Sequence, residues 1–195
     1  CFGACSVLIP KFKAHEFGSI LKKQKPTMIF GVPTLYEGLL KAEGLDNFDF
    51  SFLKYAISGG DSLPKPLEEK VNEFFKSHNA GVKICEGYGM TEGLAAISLS
   101  VNEHYKSGTI GKTLLGNEVC VVDPDTYEVL GPGEDGELCI HGPTVMQGYR
   151  NNEEENATTL VKHKDGKIWL HTGDLCSIDE DGYIETAGER AGEEE

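Results

Sequence analysis

The stretch EGYGMTEG, residues 86–93, interleaves Gly87, Gly89 and Gly93 with Tyr88, Met90, Thr91 and Glu92. An aromatic ring can stack on a purine, a hydroxyl can bond a phosphate oxygen, and a carboxylate can hold Mg²⁺ through oxygen. Glycines between them let a flat ligand approach the backbone. A second glycine-bearing stretch, SGGDSLP (58–64), offers Gly59 and Gly60, followed by Asp61 and Ser62. There the start of a helix would present free N–H groups to an anion. The run KIWLHTGDL ends on Asp174, a carboxylate just beyond a strand that could accept hydrogen bonds from both hydroxyls of a ribose. Ordinary turns, with Tyr88 packed, Glu92 solvated and Asp174 closing a bend, satisfy the same spacings. Spacing alone leaves both readings open.

Three other patterns fail on inspection. KSGTIGKT (106–113) ends like a phosphate-binding loop, but Lys106 stands where GxxxxGK[ST] needs its first glycine. SIDEDGYI begins with Ser177 where a calcium loop needs its first carboxylate, and Gly188 stands where the loop needs its closing Glu. The six histidines (15, 78, 104, 141, 163, 171) form no HExxH and no zinc spacing. No G-x-S-x-G is present to carry a nucleophilic serine.

The elements that would position these residues change character along the chain. Residues 6–10 (SVLIP), 27–30, 53–58 and 82–85 read as short buried strands. Between them, 14–24 reads as a helix with Phe17, Ile20 and Leu21 on one face, and Pro33 opens a helix to about Glu43. Ser62 is placed as the N-cap of a third helix, with Leu67, Val71, Phe74 and Phe75 inward. Repeated β-α-β units argue a doubly wound parallel sheet, and ligands of such sheets bind beyond the carboxyl ends of the strands. From about 105 onward the chain reads as closely spaced strands divided by Gly, Pro and Asp turns. Only 154–162 is helical in pattern, with Asn156 as cap. This is the texture of a β-rich, distorted-barrel subdomain. The expected division is therefore 1–105 for the α/β subdomain, 106–186 for the β-barrel-like subdomain, and 187–195 as a tail outside the pattern.

Bulk properties narrow the partners. A formal charge of −14, with 18 Lys and Arg against 32 Asp and Glu, argues against nucleic acid, while leaving room for a nucleotide bound through backbone amides and a divalent cation. No apolar run reaches the ~20 residues that span a bilayer. The six cysteines contain no CxxC, and Cys85, Cys120, Cys139 and Cys176 lie in apolar runs. Buried free thiols in a reducing, cytoplasmic setting are the expectation. The chain opens CFGAC without Met and closes GERAGEEE, which reads as a central piece of a larger protein.

In order and spacing, SGGDSLP, YGMTE, GELCIHGPTVMQGYRN (136–151) and WLHTGDL resemble the adenylate-forming enzymes: acyl-CoA synthetases, firefly luciferase and the adenylation domains of peptide synthetases. The likeness runs over residues 1–186, and GVPTLYEGLL with the MTEG loop is most similar to fatty-acid and other acyl-CoA ligases. The resemblance implies that a carboxylic acid attacks MgATP to give an acyl-adenylate, from which coenzyme A displaces AMP. It implies Gly60, Asp61 and Ser62 around the adenine, Gly87 beside the nucleotide and Tyr88 stacked on the base. It further implies Thr91 at the α-phosphate, Glu92 on Mg²⁺, Asp174 on the ribose, and Gly59, Gly89 and Met90 bordering the acid. Thr91 and Glu92 are thereby the catalytic pair. Two family parts, a glycine-rich phosphate loop and a lid domain with the adenylation lysine, are expected outside these residues, so the piece alone is expected to be inactive. Where the family has Gly-Arg, this chain has Gly188-Glu189, with Arg190 one place on. An adenylation domain loading a carrier protein and a catalytically incomplete nucleotide-binding module are the alternatives.

Overall fold

The computed structural model describes residues 3–9, 13–101 and 104–189, without the side chains of 14 and 187–189. It divides into two compact units, Cys1–Cys85 and Glu86–Glu195.

In the first unit a 3₁₀ turn leads into α1 (Phe17–Gln24), followed by β1 (Met28–Gly31), α2 (Pro33–Leu40), β2 (Tyr55–Ser58) and α3 (Lys65–Ser77). β1 and β2 pair in parallel, from Met28↔Tyr55 to Gly31↔Ser58, as the β-α-β pattern requires. The helices bury Phe17, Leu21, Tyr36, Leu39, Leu67, Val71 and Phe75 in one core with Ile29 and Phe50. Tyr36 is fully buried, and its hydroxyl donates to the carbonyl of Ile57 (2.8 Å), tying α2 to β2. Burial raises its pKa far above the usual phenol value, so it remains a donor.

Two expectations fail in this unit. Residues 6–9 form no strand; they have no pairing partner among the described residues, and Leu8 is 85% exposed. Pro10 and the tail from 190 lie outside the described residues. Ser62 is not an N-cap: α3 starts at Lys65, capped by Pro64, whose carbonyl accepts from the N–H groups of Leu67 and Glu68 (2.8 and 3.0 Å). Pro64 disfavours helical backbone at Leu63 and so delays the start.

β3 (Ile84–Tyr88) carries the chain into the second unit, where it pairs antiparallel with β4 (Ser98–Leu99), and β4 pairs with β5 (Lys112–Thr113). A second sheet contains β6 (Glu118–Val122), β7 (Gly136–His141), β8 (Leu160–Lys162), β9 (Ile168–Ile178) and β10 (Ile184–Glu189). The order is β10-β9-β7-β6, with β8 also on β9, all antiparallel. This is the β-rich, curled half-barrel expected from the short alternating runs. The helix α4 (Glu153–Thr159) is capped by the Asn152 side chain, which accepts from Glu155 N–H (3.3 Å). Asn156 is not the cap; its amide instead bonds both the N–H and the carbonyl of Tyr149.

β9 is irregular where it matters. Cys139 faces His171 and Glu137 faces Leu175, so the single residue Leu138 stands opposite Thr172, Gly173 and Asp174. Gly173 has φ +78°, a conformation that glycine adopts at no steric cost.

Candidate active site

Three of the expected nucleotide-binding residues, Gly87, Tyr88 and Asp174, sit inside strands. β3 runs through Glu86–Tyr88 and does not stop at Cys85, which places Tyr88 at a strand end with its backbone held in the ladder. Asp174 lies within β9, on the surplus backbone opposite Leu138, and not beyond the strand. The structure brings the two together: the Tyr88 hydroxyl donates to Asp174 Oδ2. Burial of the phenol, followed by its bond to Asp174, raises its pKa well beyond the ordinary range. Tyr88 therefore stays protonated and Asp174 keeps a permanent donor. The ring packs with Ile97, Ile140 and Leu170.

After β3 the chain reverses sharply. Thr91–Gly93 forms a 3₁₀ turn, and the N–H groups of Gly93 and Ala95 both bond the carbonyl of Met90 (3.2 and 3.0 Å). Gly89 is required here, since a Cβ on it would overlap the carbonyl of Ala95. The reversal leaves Thr91 exposed and Glu92 half-buried. Glu92 Oε1 accepts from the hydroxyl of Tyr149 (2.8 Å), and its main-chain carbonyl accepts from Met146 N–H (2.7 Å). Segment 142–151 thus fixes Glu92 at both its backbone and its side chain. The Glu92 bond raises the Tyr149 phenol to about 12. Among the described residues Glu92 has no ion-pair partner. A carboxylate oriented by one donor and neutralised by no cation fits an oxygen-ligated Mg²⁺.

Beneath Asp174, Glu137 is 4% exposed. Its Oε1 accepts from Gly173 N–H (3.0 Å) and its Oε2 faces Nδ1 of His171 (2.9 Å). Thr172 Oγ1 donates to the carbonyl of Leu138 (2.8 Å) and accepts from Asp174 N–H (3.1 Å). The bulge is therefore held from both sides. In the first unit, Gly60 takes φ +80° and the Asp61 carboxylate accepts from Ser62 N–H (2.8 Å). Just before them Ser58 Oγ is buried with no hydrogen-bond partner among the described residues. Sequence reasoning missed Tyr149, Glu137 and Ser58. All three stood inside recognised motifs, but the partners that define Glu137 are 34 and 36 residues distant, beyond any local pattern.

The model of the AMP-binding enzyme family matches residues 1–150. Peroxisomal OPC-8:0-CoA ligase 1 of Arabidopsis thaliana is 38% identical over 189 residues, covering 94% of this chain and 33% of the relative. Probable 4-coumarate–CoA ligase 2 of Dictyostelium discoideum is 40% identical over 181 residues, covering 93% and 32%. Among solved structures, the long-chain-fatty-acid-CoA ligase FadD1 of Archaeoglobus fulgidus superposes with a TM-score of 0.84 at 26% identity, over 91% of this chain and 37% of that one. The chain belongs to the AMP-binding enzyme family, and the relatives named here are CoA ligases. It spans about a third of the length of those relatives.

Proposed function

We propose that the protein is an ATP-dependent acid–thiol ligase that activates a fatty acid as its acyl-adenylate and transfers the acyl group to coenzyme A. The observation that carries this reading is the pair of oriented carboxylates in the second unit: Asp174 held by Tyr88, and Glu92 held by Tyr149. Asp174 would accept the ribose hydroxyls and Tyr88 would border the adenine with Gly87. Gly89 and Met90, at the reversal after β3, would border the acid. Thr91, exposed at the turn, would donate to the α-phosphate, whose phosphorus the substrate carboxylate attacks as pyrophosphate leaves. Mg²⁺ bound at Glu92 would supply charge neutralisation on the phosphates. Such a site works by positioning and by preorganised charge, with little covalent help from the protein. The fatty-acid assignment draws support from the Archaeoglobus fulgidus neighbour, itself a long-chain-fatty-acid-CoA ligase.

Calorimetric titration with a non-hydrolysable fatty-acyl-adenylate analogue tests the reading. Binding is expected, and Asp174→Ala is expected to weaken it about 10–100-fold, the worth of a hydrogen bond to a charged group. Binding of a hydroxycinnamoyl-adenylate analogue in preference to the fatty-acyl one would replace the acid and keep the reaction class. Binding that Asp174→Ala leaves unchanged would remove the ribose assignment.

A further inference from the structure

On the second sheet, three side chains that no spacing rule connects converge on one point. Cys139 and His171 are direct partners across β7 and β9. His163 follows β8, and the turn His163–Lys167 returns the chain into β9, with His163 N–H bonded to the Lys167 carbonyl (3.0 Å). The Cys139 thiol and one nitrogen from each ring all lie within 4.8 Å of one another, and the two Nε2 atoms are 2.9 Å apart. We infer that Cys139, His163 and His171 form a binding site for a thiophilic divalent transition ion of the Zn²⁺ type, built into the β7–β8–β9 face.

Several features go beyond proximity. Glu137 accepts from Nδ1 of His171 (2.9 Å), which leaves the Nε2 lone pair pointing at the cluster. Buried carboxylates orient metal-ligating histidines in this way. Trp169 stacks on His163 (centroids 5.5 Å, 19°), and Tyr127 meets the edge of His171 (4.8 Å, 66°), so both rings are fixed. Cys139 and His171 are buried while His163 is half-buried, which provides an entry path. Zn²⁺ takes thiolate and imidazole at about 2.3 and 2.0–2.1 Å, so the ligand atoms need only small shifts to surround an ion. Cys120, the partner of Cys139 across β6 and β7, is not one of the three converging groups, so the fourth position of a tetrahedral ion would go to water. On coordination the Cys139 thiol loses its proton to solvent, while neutral His163 moves its proton to Nδ1 and keeps it, so binding releases one proton. The site is independent of the ligase reading.

The test uses the reduced, chelator-treated protein titrated with Co²⁺ alone. The expected result is one ion per chain, with the visible absorption of a tetrahedral site and a thiolate-to-cobalt charge-transfer band, and Zn²⁺ should displace it. His163→Gln, at a half-buried ring, should weaken binding at least tenfold. Glu137→Gln should weaken it about 10–100-fold, as loss of a ligand-orienting partner does. Absence of uptake by the folded protein would overturn the inference. So would an octahedral spectrum without the sulfur band, or an affinity that His163→Gln leaves unchanged.

Discussion

A phenol that donates to a carboxylate ties its own ionisation to that partner, and Tyr149 reports on Glu92 in this way. Deprotonating Tyr149 would forfeit its hydrogen bond to Glu92 and, to a lesser degree, set two negative charges together, which is why its pKa rises to about 12. The unfolded phenol titrates near 10. The stability this bond contributes is therefore complete below pH ~10 and is lost as the pH climbs through the folded value. In an ultraviolet titration one tyrosine should ionise near pH 12, and Glu92→Gln should bring it back towards the ordinary value. An unchanged late titration in Glu92→Gln would mean that the phenol is held by something other than this carboxylate. Tyr88 makes the same kind of bond to Asp174 from a more buried position. A ribose hydroxyl arriving at Asp174 would thus meet a carboxylate whose geometry the protein has already set.

Among the elements, the reversal after β3 has the tightest steric demands. Gly89 admits the carbonyl of Ala95 where a methyl would stand, and Leu94 and Ala95 occupy left-handed backbone at φ +58° and +77°. The two substitutions that exchange these roles should act in opposite directions. Gly89→Ala should destabilise the protein at the upper end of the usual ~0.5–3 kcal/mol range. Ala95→Gly should stabilise it by up to about 1 kcal/mol, because glycine removes the left-handed penalty. Urea denaturation of both variants reads the contrast directly, and a destabilised Ala95→Gly would contradict the turn as described. Elements of this kind also mark the boundary of what the chain's text reveals. Periodicity sufficed for α1, α2 and α3 because one apolar stripe per helix decides burial. It failed for the start of α3, where Pro64 overrides Ser62, and for β3 and β9, which run through motifs that read as loops. Glycine-rich letters look like turns, yet here Gly87 and Gly173 lie within strands whose pairing is fixed by residues far away in sequence.

At the scale of the molecule, each unit has its own apolar centre. Phe50 anchors the first, in contact with Phe48, Phe52, Phe74 and Phe75. Leu138 lies in the second with Ile110, Val121, Cys176 and Ile184. The two clusters share no residue. Phe50→Ala should cost about 3–5 kcal/mol and Leu138→Ala about 2–5 kcal/mol. In the double variant the costs should add to within about 0.5 kcal/mol; a larger deviation in chemical denaturation would reveal coupling between the cores. The site was legible to the extent that it lies in ordered local motifs, and illegible where it depends on pairing across the second sheet, as the partners of Glu137 and the convergence of His163 with His171 do. One consequence follows from the mismatch between β7 and β9. Where Leu138 alone faces three residues, β9 carries two residues of slack, about 7 Å of extended backbone. Drawn out by deletion, that slack would leave β7 and β9 in continuous register and would shift Asp174 out of its pairing with Glu189 of β10. In this strand the length of chain that β7 leaves unmatched is still taken up on the other side, where Asp174 pairs with Glu189 of β10.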